Sequence, residues 1–282
     1  IPTSHNFGTI ENGKSYTYNF VNTKLGSISG MKYEDLNANG VKDAGEPAIS
    51  GIKICLESNT TGVGGTCEAG EPSTTTNASG EYSFTNLNPG TYHVTEEIGL
   101  GGSGQTWYQS YPGTTNSYRH ANIFLTSGES EKGYNFGNYK YSKICYEKFN
   151  DLNGNGVKDT GEPDMANWMF KTYVLNDAGA KVELSGINGS GSCRGDIMPG
   201  KTYYVSEVLQ NGWTQTTPGG DGYAGPFNAT SDSSHDAVFG NVLKGDVTIY
   251  KKTVGGDDKF AFQTSTLPGG NFDLTTVSGS AN

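Results

Sequence analysis

The sequence predicts an all-β chain built from sandwiches, on three observations. Short alternating runs recur (SYTYNFV, EYSFTNL, TYHVTEE, TYYVSEV and KFAFQTS), with apolar residues at about every second position, the period of a half-buried strand. Clusters of Gly, Pro, Asn and Thr separate these runs, and glycine alone contributes 42 of 282 residues. No segment sustains the 3.6-residue apolar period of a helix.

Three closing motifs divide the chain: HNFGTIENGKSYTYNFVN ending at Asn22, HANIFLTSGESEKGYNFGN ending at Asn138, and SHDAVFGN ending at Asn241. Each is followed by an opening strand, LGSISGMKYED, YSKICYEKFND or KGDVTIYKK. Within each complete unit a Pro-Gly turn leads into an acid-bearing strand, NLNPGTYHVTEE or DIMPGKTYYVSEV, and then an aromatic landmark, QTWYQSYPG or NGWTQTTPGG. This repeat places sandwich modules at 25–140 and 141–243. Residues 1–24 read as the closing strand or strands of a preceding or neighbouring module, and 244–282 as the first strands of a further, incomplete sandwich. Such part-modules expose strand edges. The expected partners are therefore this chain itself, polymerising head to tail by strand donation, or adjacent repeats of a longer chain.

Composition narrows the function. The net charge is −10 with 19 scattered basic residues, which excludes the clustered Lys/Arg footprint of a nucleic-acid binder. No run approaches the apolar length of a transmembrane helix, and IPTSHNFG has no signal-peptide pattern. An acidic chain rich in Gly, Ser, Thr and Asn suits an extracellular setting. One cysteine pair falls in each module, predicting disulfides Cys55–Cys67 and Cys145–Cys193 in an oxidising compartment, against four free thiols. Sequons at Asn59, Asn77, Asn188 and Asn228 permit glycosylation. No residues show catalytic spacing, so an enzyme is not expected. Arg194-Gly195-Asp196 reads as part of a strand-turn unit, and Trp107, Trp168 and Trp213 as packing residues.

The stretch DLNANGVKDAGE begins at Asp35, and DLNGNGVKDTGE begins at Asp151. Side-chain oxygens fall at positions 1, 3, 5, 9 and 12: Asp35, Asn37, Asn39, Asp43 and Glu46, then Asp151, Asn153, Asn155, Asp159 and Glu162. Glycine holds position 6, and the Val41 and Val157 carbonyls stand at position 7. This is the spacing of a calcium loop, and an oxygen-only donor set favours Ca²⁺ over a transition metal. At least two ions are expected. The flanks read as strands rather than paired helices, so the ions read as structural.

GMKYEDLNANGVKDAGEPAISGIKICL with GEYSFTNLNPGTYHVTEE, and KICYEKFNDLNGNGVKDTGEPDMANW with PGKTYYVSEVLQNGW, resemble the B-type repeats of the serine–aspartate-repeat adhesins of Gram-positive bacteria. The tail GDVTIYKKTVGGDDKFAFQTSTLPGGNFDLTT is similar to the collagen-adhesin B-type, prealbumin-like repeats. The resemblance implies tandem Greek-key, immunoglobulin-like or prealbumin-like β-sandwiches, strung as a calcium-stabilised fibre or stalk on a prokaryotic cell surface. The alternative is an adhesin module gripping a host protein or glycan. Some relatives of this kind form a Lys–Asn isopeptide bond beside a buried acid. The matching positions are Lys32, Asn138 and Glu96 or Glu97 in the first module, Lys148, Asn241 and Glu207 in the second, and Lys251 or Lys252 with Asn22 across the ends. The plainer expectation is that these are surface lysines and turn asparagines, since charged lysines are seldom buried.

Overall fold

The computed structural model describes residues 8–9, 11–58, 67–97, 106–113, 118–245, 259–262, 272–277 and 280–281. Every regular element among them is a strand. The first nine are β1 (Gly26–Glu34), β2 (Lys53–Glu57), β3 (Ser73–Thr75), β4 (Glu81–Leu87), β5 (Gly90–Glu96), β6 (Tyr108–Tyr111), β7 (Arg119–Leu125), β8 (Ser130–Glu131) and β9 (Phe136–Tyr139). They form one sheet in the order β4-β1-β9-β6, with β8 also on β1, and a second in the order β3-β2-β5-β7. Alternation puts one side of each sheet into a shared core: Ile28, Tyr82, Phe84 and Phe136 from the first, Ile54, Leu56, Val94, Ile123 and Leu125 from the second. Each such side chain contributes roughly 1.5–3 kcal/mol on burial.

The second module repeats the plan. Its strands are β10 (Ser142–Asn150), β11 (Met169–Leu175), β12 (Lys181–Glu183), β13 (Asn188–Gly189), β14 (Cys193–Ile197), β15 (Thr202–Glu207), β16 (Trp213–Thr217), β17 (Tyr223–Asn228) and β18 (Ser234–Leu243). The sheets run β14-β10-β18-β16 and β12-β11-β15-β17, around a core that includes Ile144, Tyr146, Trp168, Phe170, Val205 and Phe239. The described part of the tail forms a small sheet of β19 (Lys259–Phe262), β20 (Phe272–Val277) and β21 (Ser280–Ala281). Within this single chain, residues 11–24 carry no strand assignment. Phe20 and Val21 are 67% and 87% exposed.

Within each module the opening and closing strands are parallel neighbours. β1 pairs with β9 from Lys32↔Phe136 to Glu34↔Asn138, and β10 pairs with β18 from Lys143↔Ser234 to Asn150↔Asn241. Parallel pairing of the first and last strands makes the chain enter a module at one pole and leave at the other.

The two modules meet where β9 leads into β10. Lys140 N–H donates to Ser231 Oγ at 2.9 Å, and Ser231 N–H donates to the Leu36 carbonyl at 2.9 Å. Gly200 lies so close beneath the Asn37 carbonyl that an added Cβ would be 2.1 Å from that oxygen. Module 1 carries the same docking on its own entry side: Lys24 N–H donates to Ser127 Oγ at 2.9 Å.

Candidate covalent and metal sites

The inner face of each opening strand ends on a lysine. In β10, residues 142, 144, 146 and 148 point inward, so Lys148 follows Ser142, Ile144 and Tyr146 into the core. Lys32 is placed the same way, in phase with Ile28. The surface expectation is therefore wrong for both lysines: Lys32 is 1% and Lys148 2% exposed. Their asparagines lie two residues beyond the paired phenylalanine, on the same face of the adjacent closing strand. Asn138 is 4% and Asn241 0% exposed, so neither is an open turn residue.

An acid reaches each pair from the opposite sheet. Lys32 Nζ lies 2.8 Å from Glu96 Oε2, and Asn138 lines the same small cavity as that carboxylate. Lys148 Nζ is 3.1 Å from Glu207 Oε2, and Asn241 Nδ2 donates to that same oxygen at 3.2 Å. In both modules the asparagine Oδ1 is buried without a hydrogen-bond partner, an expensive arrangement for a bystander amide. Glu97, the other acid considered, faces outward and lies 3.5 Å from Lys53. Asn22 is exposed, while Lys251 and Lys252 lie outside the described residues.

Burial sets the protonation chemistry. Desolvation lowers Lys32, against the pull of Glu96, and brings Lys148 down to about 8 although Glu207 opposes the shift. Desolvation likewise raises Glu96 and Glu207, with the lysines acting in the other direction. Both shifts run toward a neutral amine beside a protonated carboxyl, the direction in which desolvation always acts. The walls are aromatic. The Trp168 ring centroid stands 4.4 Å from Lys148 Nζ, and Trp107 closes a cavity of about 10 Å³ around Lys32, Glu96 and Asn138. Gly137 and Gly240 precede the asparagines, and a Cβ there would come within 2.6 Å of the Tyr33 ring and 2.4 Å of the Phe149 ring. The sequence reading overlooked both glycines, although the repeated Phe-Gly-Asn was their signal.

Each acidic loop follows directly on this site, for Asp35 N–H donates to the Asn138 carbonyl and Asp151 N–H to that of Asn241. Asp35 takes the N–H groups of Asn39 and Gly40, and Glu46 those of Leu36 and Asp43. Asn37 and Asn39 both bring their side-chain amides to Asp43 Oδ2, each at 2.9 Å. Asn153 and Asn155 do the same to Asp159 Oδ2 at 2.8 Å, and Glu162 holds Leu152 and Asp159. Among the described residues no three acidic, histidine or cysteine side chains gather closely enough to hold a metal as they stand. The donors still suit a hard cation in type: all are oxygens, and three side chains of each loop already meet at one point. Val41 and Val157 are 58% and 59% exposed.

Cys55–Cys67 and Cys145–Cys193 are both joined, leaving no free cysteine. Of the sequons, Asn77 and Asn228 are exposed, whereas Asn188 buries the amide nitrogen that a glycan would need. Asn59 lies outside the described residues. Arg194 is committed to Asp196 at 2.7 Å and to the Ser185 carbonyl, so this tripeptide does not present two free charges.

Fold and site together define a class: tandem two-sheet β-sandwich modules, each with a buried Lys–Glu–Asn triad beneath an acidic loop. Residues 26–131 match the SdrD B-like domain family. Serine-aspartate repeat-containing protein E of Staphylococcus aureus strain Mu50 is 31% identical over 223 residues, 77% of this chain and 17% of the relative. Bone sialoprotein-binding protein of Staphylococcus aureus is 30% identical over 190 residues, 65% and 15%. The chain belongs with the B-type repeats of the serine–aspartate-repeat adhesins. It spans less than a fifth of the length of these relatives. Solved structures similar to it include the Bacillus anthracis TIE protein, at 13% identity over 92% of this chain and 42% of that one with TM-score 0.32. A streptococcal ancillary pilin matches at 15% identity over 80% and 64%, with TM-score 0.31.

Proposed function

We propose that this chain is a load-bearing segment of an extracellular stalk or fibre, in which each module locks itself with a Lys–Asn amide. The observation carrying this reading is the pair of triads, the same three residue types in the same buried places twice over. Neutral Lys148 Nζ would attack Asn241 Cγ. Glu207 would take a proton from Nζ and give one to Nδ2, so that the Nζ–Cγ bond forms as the Cγ–Nδ2 bond breaks and ammonia departs. Lys32, Asn138 and Glu96 would do the same in the first module. No outside reagent is needed, and the dry pocket keeps the amine nucleophilic.

Calcium is the expected companion. Asp35, Asn37, Asn39, Asp43, Glu46 and the Val41 carbonyl would hold one ion, and the matching residues from Asp151 to Glu162 a second. The ion would supply positive charge to a loop carrying three carboxylates and so oppose their mutual repulsion. Polymerisation by strand donation rests on residues 17–22, which repeat the pattern of β9, including Phe20 for Phe136 and Asn22 for Asn138.

Intact-mass measurement of the denatured, reduced chain tests the covalent reading. The expected mass is short by two molecules of ammonia, with one restored in Lys32→Ala and one in Lys148→Ala. A full-length mass with no deficit rejects it.

A further inference from the structure

The two disulfides occupy different places relative to any pull along the chain. Tension enters the second module through Lys140 and β10 and leaves through β18. These strands are parallel neighbours, so pulling their opposite ends loads them in shear across the whole register from Lys143↔Ser234 to Asn150↔Asn241. Cys145 sits within that loaded strand, three residues ahead of Lys148. Its partner Cys193 is directly opposite on β14, the other neighbour of β10. In the first module neither cysteine is on β1 or β9. Cys55 lies on β2 and Cys67 only 12 residues further on, both inside the stretch that a Lys32–Asn138 amide would bypass.

We infer that Cys145–Cys193 is a second covalent stop on the load-bearing strand of module 2, a role that Cys55–Cys67 does not share. The inference rests on the load-bearing reading above, but its geometry does not depend on the amide. With the amide present, force passes along β10 to Lys148 and out through Asn241, and the disulfide ties β10 to β14 ahead of that point. Where the amide is absent, shear rupture frees β10 from β18, yet the chain can lengthen only outside the disulfide loop. The stretch between the cysteines, a sequence separation of 48, stays out of the lengthening. In module 1 the same rupture would free almost the whole module, since its disulfide withholds a separation of 12. Cys193 is exposed, so a dithiol can reach the bond. It would deliver two electrons and two protons, leaving two cysteine thiols and its own disulfide. The stop is thus removable by reduction, and the amide is not.

The test is single-molecule extension of the full chain held at its two ends, with and without dithiothreitol, for wild type, Lys148→Met and Lys32→Met. Oxidised Lys148→Met is expected to lengthen in a step about half as long as the reduced protein gives, because about half of the 142–241 span is withheld. Lys32→Met should give a long step that reduction changes only slightly. Equal step lengths for Lys148→Met before and after reduction would overturn the inference. The amide reading is judged separately, by wild type: steps from both modules would reject the amides. The reductant-sensitive step would then appear in wild type itself if the disulfide stop is real. Should Lys148→Met fail to fold, Asn241→Ala, which keeps Lys148 beside Glu207, carries the same comparison.

Discussion

Ser231 donates its hydroxyl to the Glu34 carboxylate at 2.6 Å, across the boundary between the two modules. The same residue gives its N–H to the Leu36 carbonyl, while Leu36 gives its own N–H to Glu46. The joint is thus built on the first acidic loop, and removal of one hydroxyl should loosen it. Ser231→Ala leaves a partly buried carboxylate short of a donor, a cost of about 1–3 kcal/mol. Small-angle scattering should show a wider spread of end-to-end dimensions for Ser231→Ala, with the melting of each module unchanged. Gly200→Leu should do more, because the Asn37 carbonyl already occupies its Cβ position and its φ is +74°. Scattering curves identical to wild type for both variants would remove the joint from consideration.

The buried lysine predicts a pH dependence in a variant that cannot form the amide. In Asn241→Ala, Lys148 must be folded as an amine. Desolvation puts its folded pKa at about 8, below the ordinary 10.5. Below about 8 both states are protonated and the folded module bears the full cost of a buried charge. Between these values the unfolded chain holds a proton that the folded chain has released, so stability rises with pH, by roughly 3 kcal/mol across the window. Glu207, raised by desolvation, works with the opposite sign at lower pH, its stabilising contribution falling as pH rises above 4.5. Urea midpoints of the variant should therefore climb from about pH 7 to about pH 10. A falling or level midpoint there would argue against a desolvated amine.

The glycine before each asparagine offers a local test of the same site. A Cβ on Gly240 would meet the Phe149 ring at 2.4 Å, and the ring is fully enclosed at 1% exposure. Gly240→Ala should cost about 1–3 kcal/mol through overpacking and push Asn241 away from Lys148. The readout is tryptic mapping: the Lys148–Asn241 crosslinked peptide should fall sharply while Lys32–Asn138 is kept. Undiminished crosslinking in module 2 would mean that the ring yields without moving the amide.

How legible this was can be judged from particular residues. The strands and the repeat were open to view because one face of each strand is apolar and turns are chemically marked, as in Tyr82 and Phe84 of β4. The triad positions were visible too, yet their burial was misjudged. The rule that lysine stays outside overrode a signal in SKICYEKFN, where Ile144, Tyr146 and Lys148 share one phase. The choice between Glu96 and Glu97 was a question of strand phase as well, settled by the register Ile54↔Glu96. The joint was not legible at all. Ser231 and Gly200 are ordinary turn residues until a second module is placed against them, and no local pattern reports which carbonyl they will face.

The two acidic loops predict unequal consequences for the loss of calcium. Both follow a triad asparagine through the same backbone bond, so chelation should loosen both modules near their lower poles. Among the described residues, only the first loop also carries a second module. Leu36 is engaged by Ser231, whereas its counterpart Leu152 is 63% exposed. Glu46→Gln should therefore weaken calcium binding and also expose the Tyr139–Tyr141 linker to protease. Glu162→Gln should weaken binding to a similar degree and leave that linker protected. Calorimetric titration supplies the binding arm, and timed proteolysis with mass mapping supplies the other. A flat titration of the wild-type chain would remove calcium from both loops. Equal linker cleavage in the two variants would instead leave calcium in place and remove its tie to the joint, because an ion that stiffened each module alone would act the same through Glu46 as through Glu162.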